Sequence, residues 1–83
     1  MYKIVYTSQA HTFLKGLDKK TAERIRNKIN RAAADPYAYS FPLTDMDSMR
    51  KIRVGDFRVI IDIDRGNVTV MVVRIKHRRN VYK

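Results

Sequence analysis

The stretch Met49-Arg-Lys-Ile-Arg-Val-Gly-Asp-Phe-Arg-Val-Ile-Ile-Asp-Ile63 decides the fold. Its side chains alternate with period two, as a half-buried strand requires. Ile52 and Val54 share one face, and Lys51 and Arg53 share the other. After the turn, Phe57, Val59, Ile61 and Ile63 form the apolar face, with Arg58, Ile60 and Asp62 opposite. Gly55-Asp56 between the two runs supplies a tight hairpin turn. Two antiparallel strands follow, each with one side meant for a core.

Downstream, Arg65-Gly66-Asn67 reads as a second tight turn, followed by a third strand over residues 68–76. Both of its faces are largely apolar, but Arg74 and Lys76 fall in register on one of them. Upstream, the aromatic and β-branched run at 2–6 (YKIVY) predicts a further strand. Thr7 or Ser8 then caps a short helix carrying Ala10, Phe13, Leu14 and Leu17 at helical spacing. Asp18 caps a longer one, with Ala22, Ile25, Ile29, Ala32 and Ala33 as its apolar stripe and basic residues around the rest. Asp35-Pro36 ends it, because the residue before proline is pushed out of the α region. Residues 36–48 read as a long connection. The expectation is an α+β fold in the order β-α-α-β-β-β: an antiparallel two-helix hairpin packed on one face of an antiparallel sheet of about four strands. It forms a single domain over 1–83, and the sorting of side chains onto faces assumes no β-bulge near Gly55-Asp56.

Charge narrows the function. Eighteen Lys and Arg face eight Asp and Glu among 83 residues, a formal charge of +10. Such a field favours phosphate backbones, anionic membranes or an acidic protein partner. Ten of the basic residues lie between Arg50 and Lys83, against Asp56, Asp62 and Asp64. Arginine's planar fork suits phosphate oxygens, although arginines also keep an exposed sheet from aggregating. The absence of cysteine excludes a disulfide, a thiolate zinc site and a cysteine nucleophile. No apolar run approaches the length of a bilayer span, and MYKIVYTSQ lacks a signal-peptide core, so the chain reads as cytoplasmic with no membrane partner. His11 and His77 belong to different elements, and Glu23 is the only glutamate. Asp62-x-Asp64 could hold a magnesium ion but more often pairs with neighbouring arginines. Neither a metal nor a cofactor is expected.

Two segments together resemble the RelE/ParE superfamily of toxins from toxin–antitoxin pairs. The first is the stretch quoted above, with Arg53-Val-Gly-Asp-Phe-Arg58 standing for the family's Arg-x-Gly-Asp-Tyr-Arg turn. The second is Arg74-Ile-Lys-His-Arg-Arg-Asn-Val-Tyr82, which carries a terminal His-Arg-x-x-Val-Tyr. The likeness extends over nearly the whole chain, including the aromatic first strand and the long basic helix.

For the RelE-like branch, the resemblance implies a ribosome-dependent endoribonuclease that cuts messenger RNA in the ribosomal A site on the small subunit. It also implies a cognate acidic antitoxin that wraps the helices or covers the basic sheet. Carried over residue by residue, the catalytic set is Lys51, Arg58, Arg78 and Tyr82. Of the lysine pair that precedes the turn in some RelE proteins, one position is Lys51 and the other is Met49, where Arg50 or Arg53 could substitute. Arg50, Arg53, Arg74, Lys76, His77, Arg79 and Lys83 are expected to hold RNA.

Those residues suit metal-free attack by the RNA's own 2′-hydroxyl. Lys51 and Arg58 would bind the scissile phosphate and neutralise its growing charge. Tyr82, ionised more readily beside guanidinium groups, would act as base. Arg78, or alternatively His77, would serve the leaving oxygen. Each residue also has a plainer reading: Tyr82 as a ring packed on the sheet, Arg58 as an ion-pair partner of Asp56 or Asp62, and Phe57, Tyr37, Tyr39 and Phe41 as packing residues. Two rival functions remain. One is a ParE-like DNA gyrase inhibitor without nuclease activity, and the other is a non-catalytic RNA-binding or degenerate toxin.

Overall fold

The computed structural model describes residues 1–43 and 48–77. Its elements are β1 (Lys3–Tyr6), α1 (Ser8–Lys15), α2 (Lys19–Ala32), β2 (Phe41–Pro42), β3 (Met49–Val54), β4 (Phe57–Asp64) and β5 (Thr69–His77). Each helix begins where the sequence offers a cap. Thr7 Oγ1 accepts from the Ala10 amide at 3.3 Å, and Asp18 Oδ2 accepts from the Thr21 amide at 3.1 Å. Both caps satisfy amides that the first helical turn leaves without partners.

The strands form one sheet in the order β1-β5-β4-β3-β2. α1 packs on β5 and β1, and α2 packs on β3. The core lies between the helices and one sheet face. Leu14, Ile25 and Ile29 meet Ile52, Val59, Ile61, Val72 and Ile75 there, all almost wholly buried. This face is the one that the period-two pattern in β3 and β4 selects.

The α+β class agrees with the sequence reading, but the sheet differs in three respects. It has five strands rather than about four, because Phe41–Pro42 pairs with β3 within the stretch read as a bare connection. Two residues are too few to show a period, and proline, which cannot donate to a ladder, is tolerated at the sheet edge that β2 occupies. The sheet is also mixed, since β1 runs parallel to β5. Finally, β5 begins at Thr69, because Val68 takes a φ of 49° to complete the turn.

A β-bulge interrupts the β4–β5 ladder. Ile60 pairs with Arg74 while Ile61 pairs with Val72, which leaves Val73 as the extra residue of β5. Val70 and Val72 therefore face the core on one side of the bulge, and Ile75 faces it on the other. β1 ends opposite Val72, and α1 takes over the exposed edge of β5 from there. The Thr7 amide donates to the Val72 carbonyl at 3.1 Å, and Thr7 Oγ1 donates to the Val73 carbonyl at 2.6 Å. The Ile75 amide donates to Gln9 Oε1 at 3.4 Å. The bulge's free backbone groups are thus answered by the first turn of α1, as buried polar groups must be.

Candidate nucleic-acid interface

The sheet face turned away from the helices carries two cross-strand rows at its β3–β4 hairpin end. In the first, Arg53, Arg58 and Lys76 lie directly opposite one another across β3, β4 and β5. In the second, Phe41, Lys51, Ile60 and Arg74 lie opposite one another across β2 to β5. Directly opposed residues have Cβ atoms about 5 Å apart, and diagonal neighbours such as Lys51 and Arg58 are about 7 Å apart. Side chains as long as these can converge on one phosphate.

No carboxylate among the described residues lies within these two rows. Among the described residues, Lys51, Arg53, Arg58, Arg74 and Lys76 make no ion pair. Asp62 belongs to the next row, between Met49 and Met71, two rows away from Arg58. Asp64 is occupied by its own turn, accepting from the Asn67 amide at 3.1 Å and from Asn67 Nδ2 at 2.7 Å. Those bonds hold its carboxyl below the ordinary aspartate value. Like charges directly opposite one another destabilise a sheet, so each opposed pair of cations costs the free protein stability.

Other expected RNA contacts stand elsewhere. Arg50 lies on the helix side of β3, in line with Ile52 and Val54. Its Nε donates to Ser40 Oγ at 2.6 Å, and its Nη2 donates to the carbonyls of Ser40 at 2.9 Å and Tyr37 at 3.4 Å. Its guanidinium also lies 5.1 Å from the centre of the Tyr37 ring. This arginine ties the 36–40 turn to the sheet and is set apart from the basic rows. His77 lies opposite Phe57, and their rings meet edge to face at 4.9 Å. Phe57 in turn meets Phe13 at 6.1 Å and packs against the core, as its plainer reading anticipates. Arg78, Arg79, Tyr82 and Lys83 lie outside the described residues.

Two grooves adjoin the rows, and Arg53 lines both. One, of about 400 Å³, is formed by Phe41, Pro42, Lys51 and Arg53. The other, of about 410 Å³, runs between α2 and the hairpin turn, with Arg24, Lys28 and Arg31 joining Arg53 over Gly55. Gly55 has a φ of +59°, where a side chain is strained, and a Cβ there would also collide with the Arg24 guanidinium. Helix–sheet docking brings α2 over the turn, which the linear spacing of Arg24, Lys28 and Arg31 does not reveal.

The chain matches the model of the ParE toxin of the type II toxin–antitoxin system, parDE, over residues 4–82. It belongs to the ParE toxin family. No curated protein matches it by sequence. Among solved structures, the fold of this ParE-family chain is similar to that in the RelBE2 toxin–antitoxin complex from Mycobacterium tuberculosis. The TM-score there is 0.81 at 23% identity, covering 93% of this chain and 98% of that one. The isolated E. coli RelE toxin gives a TM-score of 0.82 at 18% identity, covering 99% and 92%. The archaeal RelE–RelB complex from Pyrococcus horikoshii gives 0.79 at 19% identity, covering 93% and 94%. The superfamily resemblance read from the hairpin and tail agrees with both the family match and the shared RelE fold. No helix among the described residues is long and apolar enough to cross a membrane.

Proposed function

We propose that this ParE-family toxin is a ribosome-dependent endoribonuclease that cuts translated messenger RNA in the cytoplasm. The observation that carries the reading is the opposed row Arg53–Arg58–Lys76, with Lys51 and Arg74 beside it and, among the described residues, no carboxylate within the two rows. A phosphodiester backbone relieves the repulsion within the row, and protonated arginine and lysine need no metal to do so. Lys51 and Arg58 bind the scissile phosphate and stabilise the charge that builds on it in the transition state. The 2′-oxygen loses its proton to Tyr82 and bonds to phosphorus. The bond to the 5′-oxygen breaks, and that oxygen takes a proton from Arg78 or from water that Arg78 orients. The ribosome holds the messenger in line for attack, which compensates for the weak acid–base equipment of the set.

A cognate antitoxin neutralises the toxin. Its acidic segments would be drawn to a protein of net charge +10, and the RelE chains of similar fold occur in complexes with RelB. A second reading, inhibition of DNA gyrase without nuclease activity, is favoured by the ParE description of the matching family. Primer-extension mapping on a messenger in a cell-free translation system tests both, comparing wild type with Arg78→Ala and Tyr82→Phe. Cuts that require translation and vanish in both variants support the nuclease and its site. Cuts that persist in Tyr82→Phe reassign the base to Lys51 or to the ribosome. Gyrase-dependent DNA damage without messenger cleavage selects the second reading.

A further inference from the structure

We propose that the groove between Phe41 and Arg53 is a nucleobase subsite, in which one base of a single-stranded RNA stacks on the Phe41 ring. This deepens the messenger-cleaving reading and rests on it for the identity of the strand. The basic rows supply sites for phosphates but nothing for a base, whereas Phe41 offers an exposed π-face at their edge.

Among the described phenylalanine and tyrosine rings, Phe41 and Tyr39 are the exposed ones, and of the two Phe41 is the more exposed and the one that lies in the sheet. Tyr2, Tyr6, Phe13, Tyr37 and Phe57 all pack against the core. Phe41 is 58% exposed, on the outward face of the edge strand β2. Its backbone is also fixed. It pairs with Lys51, Pro42 behind it has a locked φ, and the Leu43 amide donates to the Met49 carbonyl at 3.1 Å. The ring therefore stands on a defined platform at the end of the row Phe41–Lys51–Ile60–Arg74.

Charge complementarity identifies the occupant. Among the described residues, the groove of about 400 Å³ is lined by an aromatic ring, a proline, Lys51 and Arg53, and none of these is acidic. An apolar face flanked by two cations matches a base joined to its phosphates, and base–aromatic stacking tolerates any sequence. Lys51 lies in the row of Phe41 and diagonal to Arg58. A base on Phe41 thus belongs to a nucleotide close to the phosphate held by Lys51 and Arg58, and Phe41 acts as a positioning residue for cleavage.

The test uses a short 2′-O-methyl single-stranded RNA, which cannot be cut, with a fluorescent adenine analogue placed at successive positions. Wild type, Phe41→Leu and Phe41→Trp are compared at low salt, and thermal unfolding checks that each is folded. Stacking quenches the analogue at one position, and Phe41→Leu is expected to abolish that quenching and weaken binding about tenfold to a hundredfold. Phe41→Trp is expected to retain both. An abasic nucleotide at the quenched position should make wild type and Phe41→Leu bind alike. Equal affinity and equal quenching of wild type and Phe41→Leu would overturn the subsite, as would failure of wild type to bind the RNA. Messenger cleavage, measured separately in the translation system, distinguishes the two ideas. Stacking without cleavage removes the nuclease reading and leaves the subsite, whereas cleavage by wild type with no Phe41-dependent quenching removes the subsite alone.

Discussion

Arg53 and Arg58 are opposed Cα partners across the β3–β4 ladder, and Lys76 continues their row on the far side of Arg58. Cross-strand neighbours normally stabilise a sheet, but like charges in this arrangement destabilise it. The placement makes sense if a polyanion lies on this face during function.

Replacing Arg58 with Gln is therefore expected to stabilise the free protein while impairing it. The gain should be about 0.5–1 kcal/mol, or a few degrees in Tm for a domain of this size. In the translation assay the same change should lower cleavage by about a hundredfold or more, as loss of a transition-state charge donor does elsewhere. Differential scanning calorimetry and primer extension on one preparation read both effects. A loss of stability would show that Arg58 supports the fold rather than opposing it.

Arg50→Ala should behave in the opposite way. It removes three hydrogen bonds to the 36–40 turn and leaves the Ser40 and Tyr37 acceptors without their donor. The expected cost is about 1.5–3 kcal/mol, measured as a lower urea midpoint. Arg50→Lys should recover only part of it, since an ammonium cannot span the same acceptors as a planar fork. RNA affinity of the folded fraction should change little.

Thr7→Val isolates the joint between α1 and the bulge. The hydroxyl both caps α1 and donates to the Val73 carbonyl, so an isosteric methyl removes two bonds at once. A loss of about 1–2 kcal/mol is expected. Hydrogen exchange should report faster opening of the α1 amides and of Ile75 than of the β3–β4 ladder.

Acid should unfold the protein partly through Asp18 and Asp64. Hydrogen bonds from Thr21 and Asn67, respectively, hold these carboxyls below their ordinary values. A folded value below the unfolded one stabilises fully above the unfolded value, and that contribution is lost as pH falls through the folded value. Tm should thus hold steady down to about pH 4 and decline below it. Asp18→Asn with Asp64→Asn should flatten part of that decline, because neutral amides have no proton to gain. An unchanged acid limb would assign it to the other carboxylates.

How much of this was legible depends on the range over which each feature is determined. The caps at Thr7 and Asp18, the apolar stripe of α2 and the alternation of β3 and β4 are local patterns, and local sterics and burial determine them. Arg53 and Arg58 could likewise be placed on the outer face, because both flank the same turn. Arg50 follows Met49 in a basic run, and only the folded 36–40 turn shows where its fork is used. Phe41 reads as a packing aromatic of a long connection, and its two-residue strand is too short to display the period that would place it on a sheet face.

The amino-acid sequence by itself determined the α+β class, the helix–helix–hairpin order and the family frame, since these follow from periodicity, turn chemistry and residue spacing. Tertiary structure decided which side of β5 carries its cations. Strict alternation would put Arg74 and Lys76 on the same face as Val70 and Val72, which are buried in the core. The bulge at Val73 turns them outward to join Arg58, and it persists because Thr7 and Gln9 of α1 satisfy the backbone around it. That compensation comes from residues 66 positions away in the chain, beyond any pattern within the strand itself.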